Sequence, residues 1–372
     1  MHYHVILTDE CNLSCRYCRG KTFEDLEPST IDEIDLSMPS EFVPEPEDLH
    51  AFLARDPEDP VVIFYGGEPL LRQDLIRSII EGSDPRVRYY LYTNGLLLNS
   101  LDPRIIERLT LIHVSIDGGE ALTDFYRGPG TYKRIIANMK AVDKMGFRGG
   151  IIARMTVGEE TDIQDAVLHL AENQVFPFHS IHWQLDANFS RDYETRKFRD
   201  WVRKRYNPGI TELVGTWVSR MRDGEVKRWY PFMETTRDLL NGGTSALRCG
   251  AGYANYSIMP DGSIGPCPVM IGMKEYTCGH ISYSDPRALR KIEGTDKCRT
   301  CDITKFCGGR CLYSQLLEPW PAEGDDLVCE SVLHLYRTLK GVVPEVRSLI
   351  RSGKIQESEL VTERFNGCEI IP

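Results

Sequence analysis

No stretch of the sequence approaches the roughly eighteen consecutive apolar residues that a membrane-spanning helix needs. The opening MHYHVILTDE has neither a basic segment nor a long apolar one of the kind that directs export. A cytoplasmic protein with no membrane partner is the expectation. Low-complexity tracts are missing as well, and with 41% apolar and 27% charged residues the 372-residue chain can build more than one hydrophobic core. Positive charge is not in excess: the formal net charge is -11, and the one dense basic stretch, SRDYETRKFRDWVRKRY (190–206), is interleaved with acids and aromatics. That pattern reads as a solvated amphipathic helix and excludes nucleic acid as the expected partner. Cysteine is absent from 19 to 248, yet the chain holds twelve: three at 11 to 18, eight from Cys249 to Cys329, and Cys368. Without an export signal a disulfide framework is excluded, and metal is the better account of two separate cysteine groups.

Between these groups short β-rich runs alternate with helical patterns. HYHVILT (2–8), VVIFYGG (61–67), VRYYLYTN (87–94), LIHVSID (111–117), GIIARMTV (150–157) and SIHWQLD (180–186) predict strands, and 46–55, 70–82, 101–109, 131–146 and 162–173 predict helices. Such alternation implies right-handed crossovers and a parallel sheet, an α/β partial TIM-like barrel of six units. Chemistry in these sheets sits at the carboxyl ends of the strands. The stretch CNLSCRYCRG (11–20) follows the first run and so lies at that mouth. Cys11, Cys15 and Cys18 are one thiolate short of filling a tetrahedral metal or a cubane cluster. A structural zinc loop is the competing reading, and it needs a fourth ligand that no nearby residue supplies.

YGGEP (65–69) follows the second run, where two glycines let the backbone approach a ligand and Glu68 supplies an anion before a helix opens at Pro69. One unit after a Cys-x3-Cys-x2-Cys loop, this turn resembles that of the radical S-adenosylmethionine (SAM) enzymes. In that family three cysteines hold a [4Fe-4S] cluster whose remaining iron binds the amino and carboxylate groups of SAM. The resemblance implies cluster ligation by Cys11, Cys15 and Cys18, a SAM amino group held by Gly66, Gly67 and Glu68 beside Pro69, and Tyr17 near the adenine. In SIDGGEALTDFYRGPGTY (115–132), Ser115 and Arg127 match the ribose-binding serine and carboxylate-binding arginine of the peptide-modifying branch. Period-2 alternation puts His113, Ser115 and Asp117 on one strand face. Asp117 is expected among the SAM contacts with Ser115; Thr93, Asn94, Arg154, Gln184 and Leu185 carry over as further SAM contacts, and are equally readable as residues satisfied inside a barrel.

The second cysteine group runs Cys249, twelve residues, Gly262, four, Cys267; then Cys298, two, Cys301, five, Cys307, three, Cys311, seventeen, Cys329. This resembles the SPASM extension, which carries two auxiliary [4Fe-4S] clusters in enzymes that modify peptides and proteins. The resemblance implies Cys298, Cys301, Cys307 and Cys329 on the second auxiliary cluster, and Cys249, Cys267 and Cys311 on the first. SIMPDGSIGPCPV (257–269) predicts a hairpin with a Pro-Asp-Gly turn. The fourth ligand of the first auxiliary cluster is either Cys278 or a substrate thiolate, and Cys368 is expected to stay unliganded. A pair of structural zinc knuckles is the alternative for this group as a whole, and it predicts a colourless protein.

The resulting expectation is a radical SAM domain over 1–186, a helical bridge over 187–248, a SPASM domain over 249–329, and a C-terminal helix and tail over 330–372. Its cofactors are SAM and three [4Fe-4S] clusters. Reductive cleavage of SAM to a 5'-deoxyadenosyl radical, with hydrogen abstraction from a residue of a ribosomally made peptide, leads to a thioether or carbon-carbon cross-link. Residue oxidation or epimerisation is the alternative within this chemistry; a non-catalytic iron-sulfur electron carrier is the alternative outside it. Formylglycine formation is disfavoured, because sulfatase-maturing relatives place an aspartate base after the cysteine matching Cys267 and this chain has Pro268. The first strand begins at residue 2, so precursor recognition falls to the barrel, to the bridge with Trp201, Trp217, Trp229 and Tyr230, or to a separate protein. Those aromatics read more readily as core. An external donor of flavodoxin or ferredoxin type supplies the electron. No acid or base is assigned, although His113, His182 and Asp186 sit on the predicted strands.

Overall fold

The computed structural model describes residues 1–18, 35 and 37–367; Cys368 lies outside them. Ten strands are assigned among these residues: β1 (His2–Ile6), β2 (Val61–Tyr65), β3 (Arg88–Thr93), β4 (Leu109–Ser115), β5 (Gly150–Val157), β6 (Ser180–Leu185), β7 (Arg228–Trp229), β8 (Asn255–Ile258), β9 (Ser263–Gly265) and β10 (Gly279–His280). The chain divides into two compact units, one of Met1–Ile116, Thr123–Ile152 and Gly250–Glu293, the other of Asp117–Leu122, Ala153–Cys249 and Gly294–Pro372. The predicted α/β class and parallel sheet are present, and all six predicted strands form.

In the first unit the strand order is β10-β9-β8-β1-β2-β3-β4. Strands β1 to β4 pair in parallel, with His2 opposite Val61 and Leu91 opposite Ile112. Val61 to Phe64 are fully buried, as expected of a parallel strand covered on both faces. The outer cover is helical: the Tyr3 ring meets Phe52 of helix Pro46–Ala54 edge-on at 5.3 Å, and its hydroxyl donates to Asp56 at 2.8 Å. The opposite face carries His4, Tyr65, Tyr92 and His113, with the last two rings stacked at 4.1 Å and His4 edge-on to both tyrosines. The predicted helix 70–82 resolves into a 3-10 turn, Pro69–Arg72, followed by helix Gln73–Glu81. The predicted helix 101–109 shortens to Pro103–Ile106, because Leu109 is already paired with Tyr89 in the sheet.

The predicted hairpin forms between β8 and β9. Asp261 accepts from the Ser263 backbone N–H at 2.9 Å and from its hydroxyl at 2.7 Å, and Gly262 takes the left-handed φ of 88° that the turn requires. Its position differs from the expectation of a separate C-terminal domain: β8 pairs in parallel with β1, His2 opposite Asn255. The hairpin thus covers a sheet edge that β1 would otherwise expose.

The second unit contains β6 and β7 in parallel, the end of β5, and most of the helix. The basic stretch becomes helix Phe198–Trp201, a π segment Val202–Tyr206 and helix Asn207–Arg222. Pro208 has no N–H to give, and the wider π turn lets Asn207 donate to Val202 instead. Arg199, Arg203 and Arg205 of these helical segments face solvent and pair with acids, Arg203 with Glu330 at 2.6 Å among them, as an amphipathic helix predicts, while Arg196 ahead of them is largely buried against Glu159, Asp186 and Asp192. The 30-residue helix Ala322–Arg351 runs through the expected boundary at 329/330, and the units also part at 293/294, inside the expected 249–329 domain. The first unit takes in residues up to 293 because β8 pairs with β1, and the long helix passes 329/330 for a separate reason. An uninterrupted apolar stripe (Leu327, Val328, Val332, Leu335, Leu339) carries Cys329 within a helix that nothing in the sequence stops there.

Trp201, Trp217, Trp229 and Tyr230 are all buried, so the core reading of the bridge holds. Trp217 donates from Nε1 to the Lys227 carbonyl at 2.8 Å and packs on Phe232. Trp217→Ala is expected to lower the unfolding free energy by about 3–5 kcal/mol, read as a lower urea midpoint; an unchanged midpoint would place this ring outside the core.

Candidate active site

Strand β1 ends at Ile6, and the chain continues as Leu7 to Cys18 along the carboxyl end of β2. Leu7 donates to the Tyr65 carbonyl at 3.0 Å, Gly67 to Thr8 at 2.8 Å and Glu68 to Glu10 at 2.8 Å, which prolongs the ladder past both strands. This explains the two glycines. A Cβ on Gly66 would sit inside the contact radius of the Thr8 carbonyl, and one on Gly67 inside that of Glu10. Gly66 also has φ 142°, a conformation that side chains rarely tolerate. What the glycine backbone approaches in this structure is the cysteine loop itself.

Glu68 is buried and ties three segments together. Its carboxylate accepts from Thr93 Oγ1 at 2.8 Å, the Asn94 backbone N–H at 2.7 Å and the Leu70 backbone N–H at 3.1 Å. Burial pushes the carboxyl up to about 7, against the pull of these three donors. A carboxylate has about four acceptor positions. One remains for a cationic group such as an amine.

Asn94 then ties the end of β3 to the loop, donating from Nδ2 to Asn12 Oδ1 at 2.6 Å and towards Cys11 Sγ at 3.7 Å. Burial raises the Cys11 thiol, while the Leu13 N–H and Asn94 pull it back. The loop's far side is held by residues 125–127: Arg16 donates from its backbone to the Tyr126 carbonyl at 2.8 Å, its guanidinium covers the Phe125 ring at 4.1 Å, and the Arg127 guanidinium lies over Tyr17 at 5.4 Å. The Cys18 N–H closes a turn on the Cys15 carbonyl at 2.9 Å. Pro69 is buried at the start of its 3-10 turn, and Ser115 ends β4 half-buried. The structure thus brings Cys11, Cys15, Cys18, Tyr17, Gly66, Gly67, Glu68, Pro69, Thr93 and Asn94 into one connected network, with Arg127 against Tyr17. Sequence reasoning missed Asn12, Arg16 and Phe125; the aromatic at 125 and the arginine between two cysteines were the available signals.

Asp117, Arg154, Gln184 and Leu185 belong to the second unit. There Asp117 is buried and accepts from the Thr156 N–H at 3.0 Å, Arg154 donates to Gln184 Oε1 at 2.8 Å, and Leu185 is in the core. His113 and His182 are both buried.

The eleven described cysteines are free thiols. Cys267 and Cys278 lie in the first unit, Cys249 and Cys311 in the second. Cys278 is buried just before β10, where its N–H pairs with the Ile264 carbonyl at 2.6 Å and its thiol donates to the Tyr276 carbonyl at 3.4 Å. Burial pushes this thiol up to about 12. Cys298, Cys301, Cys307, Cys311 and Cys329 line one cavity of about 300 Å³ in the second unit. Cys311, expected apart from the other four, is thus on the same cavity wall. Among the described residues no three Cys, His, Asp or Glu side chains converge on a point as one metal ion requires. Cluster thiolates each take a different iron and need only surround the cluster.

The chain matches the Radical SAM superfamily over residues 5–171. It carries a radical SAM domain. An AdoMet-dependent heme synthase of Methanosarcina barkeri is 26% identical over 329 residues, covering 82% of this chain and 88% of the relative. Among solved structures, native anSMEcpe with bound AdoMet and a Cp18Cys peptide superposes with a TM-score of 0.70 at 17% identity, covering 93% of this chain and 99% of that one. SuiB of Streptococcus suis bound to S-adenosylmethionine gives 0.52 at 18% identity, covering 84% and 73%. These likenesses establish the fold, a radical SAM partial barrel with a helical C-terminal region. No described helix is long and apolar enough to cross a membrane.

Gly67→Ala in this radical SAM domain is expected to push the cysteine loop off the β2 end, at a cost of about 1–3 kcal/mol, and to lower iron retention after anaerobic reconstitution. Thermal unfolding and iron assay check both, and full iron with an unchanged melting temperature would refute the packing account.

Proposed function

We propose that this radical SAM enzyme acts on a C–H bond of a peptide or protein residue, leading to a thioether or carbon-carbon cross-link. The observation that carries the radical reading is the three-cysteine loop pinned beside Glu68, whose carboxylate keeps one acceptor position open. Cys11, Cys15 and Cys18 hold the [4Fe-4S] cluster, Glu68 with the Gly66–Gly67 backbone takes the SAM amino group, and Ser115, Arg127 and Tyr17 orient the rest of SAM. When bound there, the cluster would pass one electron from an external donor to SAM, and the chemistry supplied would be hydrogen abstraction from an unactivated carbon, with methionine released. The chain's own work is to position SAM, and in Asn94 and Arg16 to hold the loop still while it does so.

A peptide substrate is supported by the anSMEcpe structure, which carries a bound peptide over the same fold. Formylglycine formation is not proposed, since Pro268 opens a 3-10 turn where it has no group to accept a proton. The bridge aromatics are core, so precursor recognition uses other surfaces or a separate protein. A tetrapyrrole substrate is the second reading, favoured by the heme synthase relative that aligns along most of both chains. We further propose a second [4Fe-4S] cluster on Cys298, Cys301, Cys307 and Cys329. The residues fit it: they surround one cavity, and the Gly309 and Arg310 backbone N–H groups donate to the Cys307 sulfur.

The test is anaerobic reconstitution, reduction with excess SAM, and chromatography for 5'-deoxyadenosine, with a Cys11, Cys15, Cys18 triple alanine variant alongside. About eight iron per chain, and 5'-deoxyadenosine lost in the variant, are expected; about twelve would add the third cluster implied by the cysteine spacing. Iron binding with no SAM cleavage in the wild type would leave an electron carrier as the account. Stimulation of 5'-deoxyadenosine by cysteine-containing peptides supports the peptide reading, and stimulation by an iron tetrapyrrole alone replaces it with the second.

A further inference from the structure

Residues 307–311 read Cys-Gly-Gly-Arg-Cys, and the three between the cysteines all have positive φ: 72° at Gly308, 89° at Gly309 and 32° at Arg310. Glycine adopts this freely; arginine does so under strain. The turn aims the Gly309 and Arg310 N–H groups at the Cys307 sulfur, a nest that favours negative charge. An arginine is a poor choice for the last position of such a turn on backbone grounds alone, so its side chain is what needs explaining.

That side chain is 8% exposed, lines the five-cysteine cavity, and has a buried Nε with no hydrogen-bond partner among the described residues. The other cations nearby are neutralised. Arg248, 6% exposed, pairs with Asp238 at 2.8 Å and donates to the Phe306 carbonyl, and Lys297 on the cavity wall pairs with Asp325 at 2.7 Å and Asp326 at 3.2 Å. Among the described residues, Arg310 is the cation on that wall with no acidic partner.

We propose that Arg310 sets the reduction potential of the cluster held by Cys298, Cys301, Cys307 and Cys329; this rests on the cluster reading given above. A thiolate-bound cluster is anionic and gains one further negative charge on reduction. A buried positive charge stabilises the reduced form more than the oxidised one, and so raises the potential. The cluster is thereby biased towards accepting an electron. Arg310 is a positioning residue in this role: it acts through the cluster and touches no substrate.

The test uses the full chain with Cys11, Cys15 and Cys18 changed to alanine, reconstituted anaerobically and titrated electrochemically under electron paramagnetic resonance. Arg310→Gly relieves the strained backbone while removing the charge. It is expected to keep its iron and its melting temperature, and to raise the oxidised-to-reduced ratio at a fixed potential about tenfold, a shift of about 59 mV downward. Arg310→Lys, which keeps the charge, is expected to recover at least half of that shift. If the glycine variant fails to retain iron, Arg310→Gln decides by the same criterion. An unchanged potential with iron retained overturns the inference. Adding Cys329→Ala separates the two levels: loss of iron and of the signal supports the cluster beneath the inference, and iron unaffected by this change overturns the cluster reading itself.

Discussion

Two backbones approach each other more closely at the mouth of this sheet than any side chain allows. Gly66 and Gly67 lie against the carbonyls of Thr8 and Glu10, and three ladder hydrogen bonds cross from 65–68 to 7–10. A cysteine loop is inherently floppy, because its residues make few contacts of their own. Here its first turn is fixed as an extension of the parallel sheet, so the position of Cys11 is inherited from the most rigid part of the fold. The side-chain contacts of Asn94, Arg16 and Tyr17 then adjust a loop whose path the backbone has already set.

Glu68 shows what that arrangement costs. A carboxylate taken out of water needs compensation, and burial raises Glu68 to about 7 despite three donors. Those donors come from the turn after β2 and from the end of β3, so the same charge that is awkward to bury joins neighbouring strand ends. A cationic group at the remaining acceptor position would offset part of that penalty. The imidazole and phenol rings of His4, Tyr65, Tyr92 and His113 are stacked and edge-packed on the sheet face opposite Tyr3.

Much of this was legible before any coordinates. A strand must end in a loop, and three cysteines after the first strand with Gly-Gly-Glu after the second reach the same end of a parallel sheet by topology alone. The burial of Trp201, Trp217 and Trp229 could be weighed from composition. Three things were not legible, each for a physical reason. The glycines were read as making room for a ligand, because a sequence does not say which backbone comes close. The β8 hairpin was read as part of a separate domain, because strand order depends on which edge is free, and β1 offered one. The helix Ala322–Arg351 was cut at Cys329, because ligand spacing marks chemistry and not where hydrogen bonding stops.

The two cysteine groups therefore impose different demands on the chain. Cys11, Cys15 and Cys18 fall within eight residues, on one loop that a single strand end holds in place. Cys298, Cys301 and Cys307 come from short turns and Cys329 from about two turns into a long helix, so their spacing is set by packing across the second unit. A site assembled that way is rigid, and rigidity fixes the charges around it. Lys297 and Arg248 are cancelled by their own acids at fixed distances, while Arg310 is held in a left-handed turn with a buried Nε unpaired. In water such a charge would be weakened by the high dielectric and screened beyond about 10 Å; in a low-dielectric wall it acts across the whole cavity. Strain in one arginine's backbone thus becomes intelligible as the geometric condition for an electrostatic effect that no looser arrangement of the same residues would deliver.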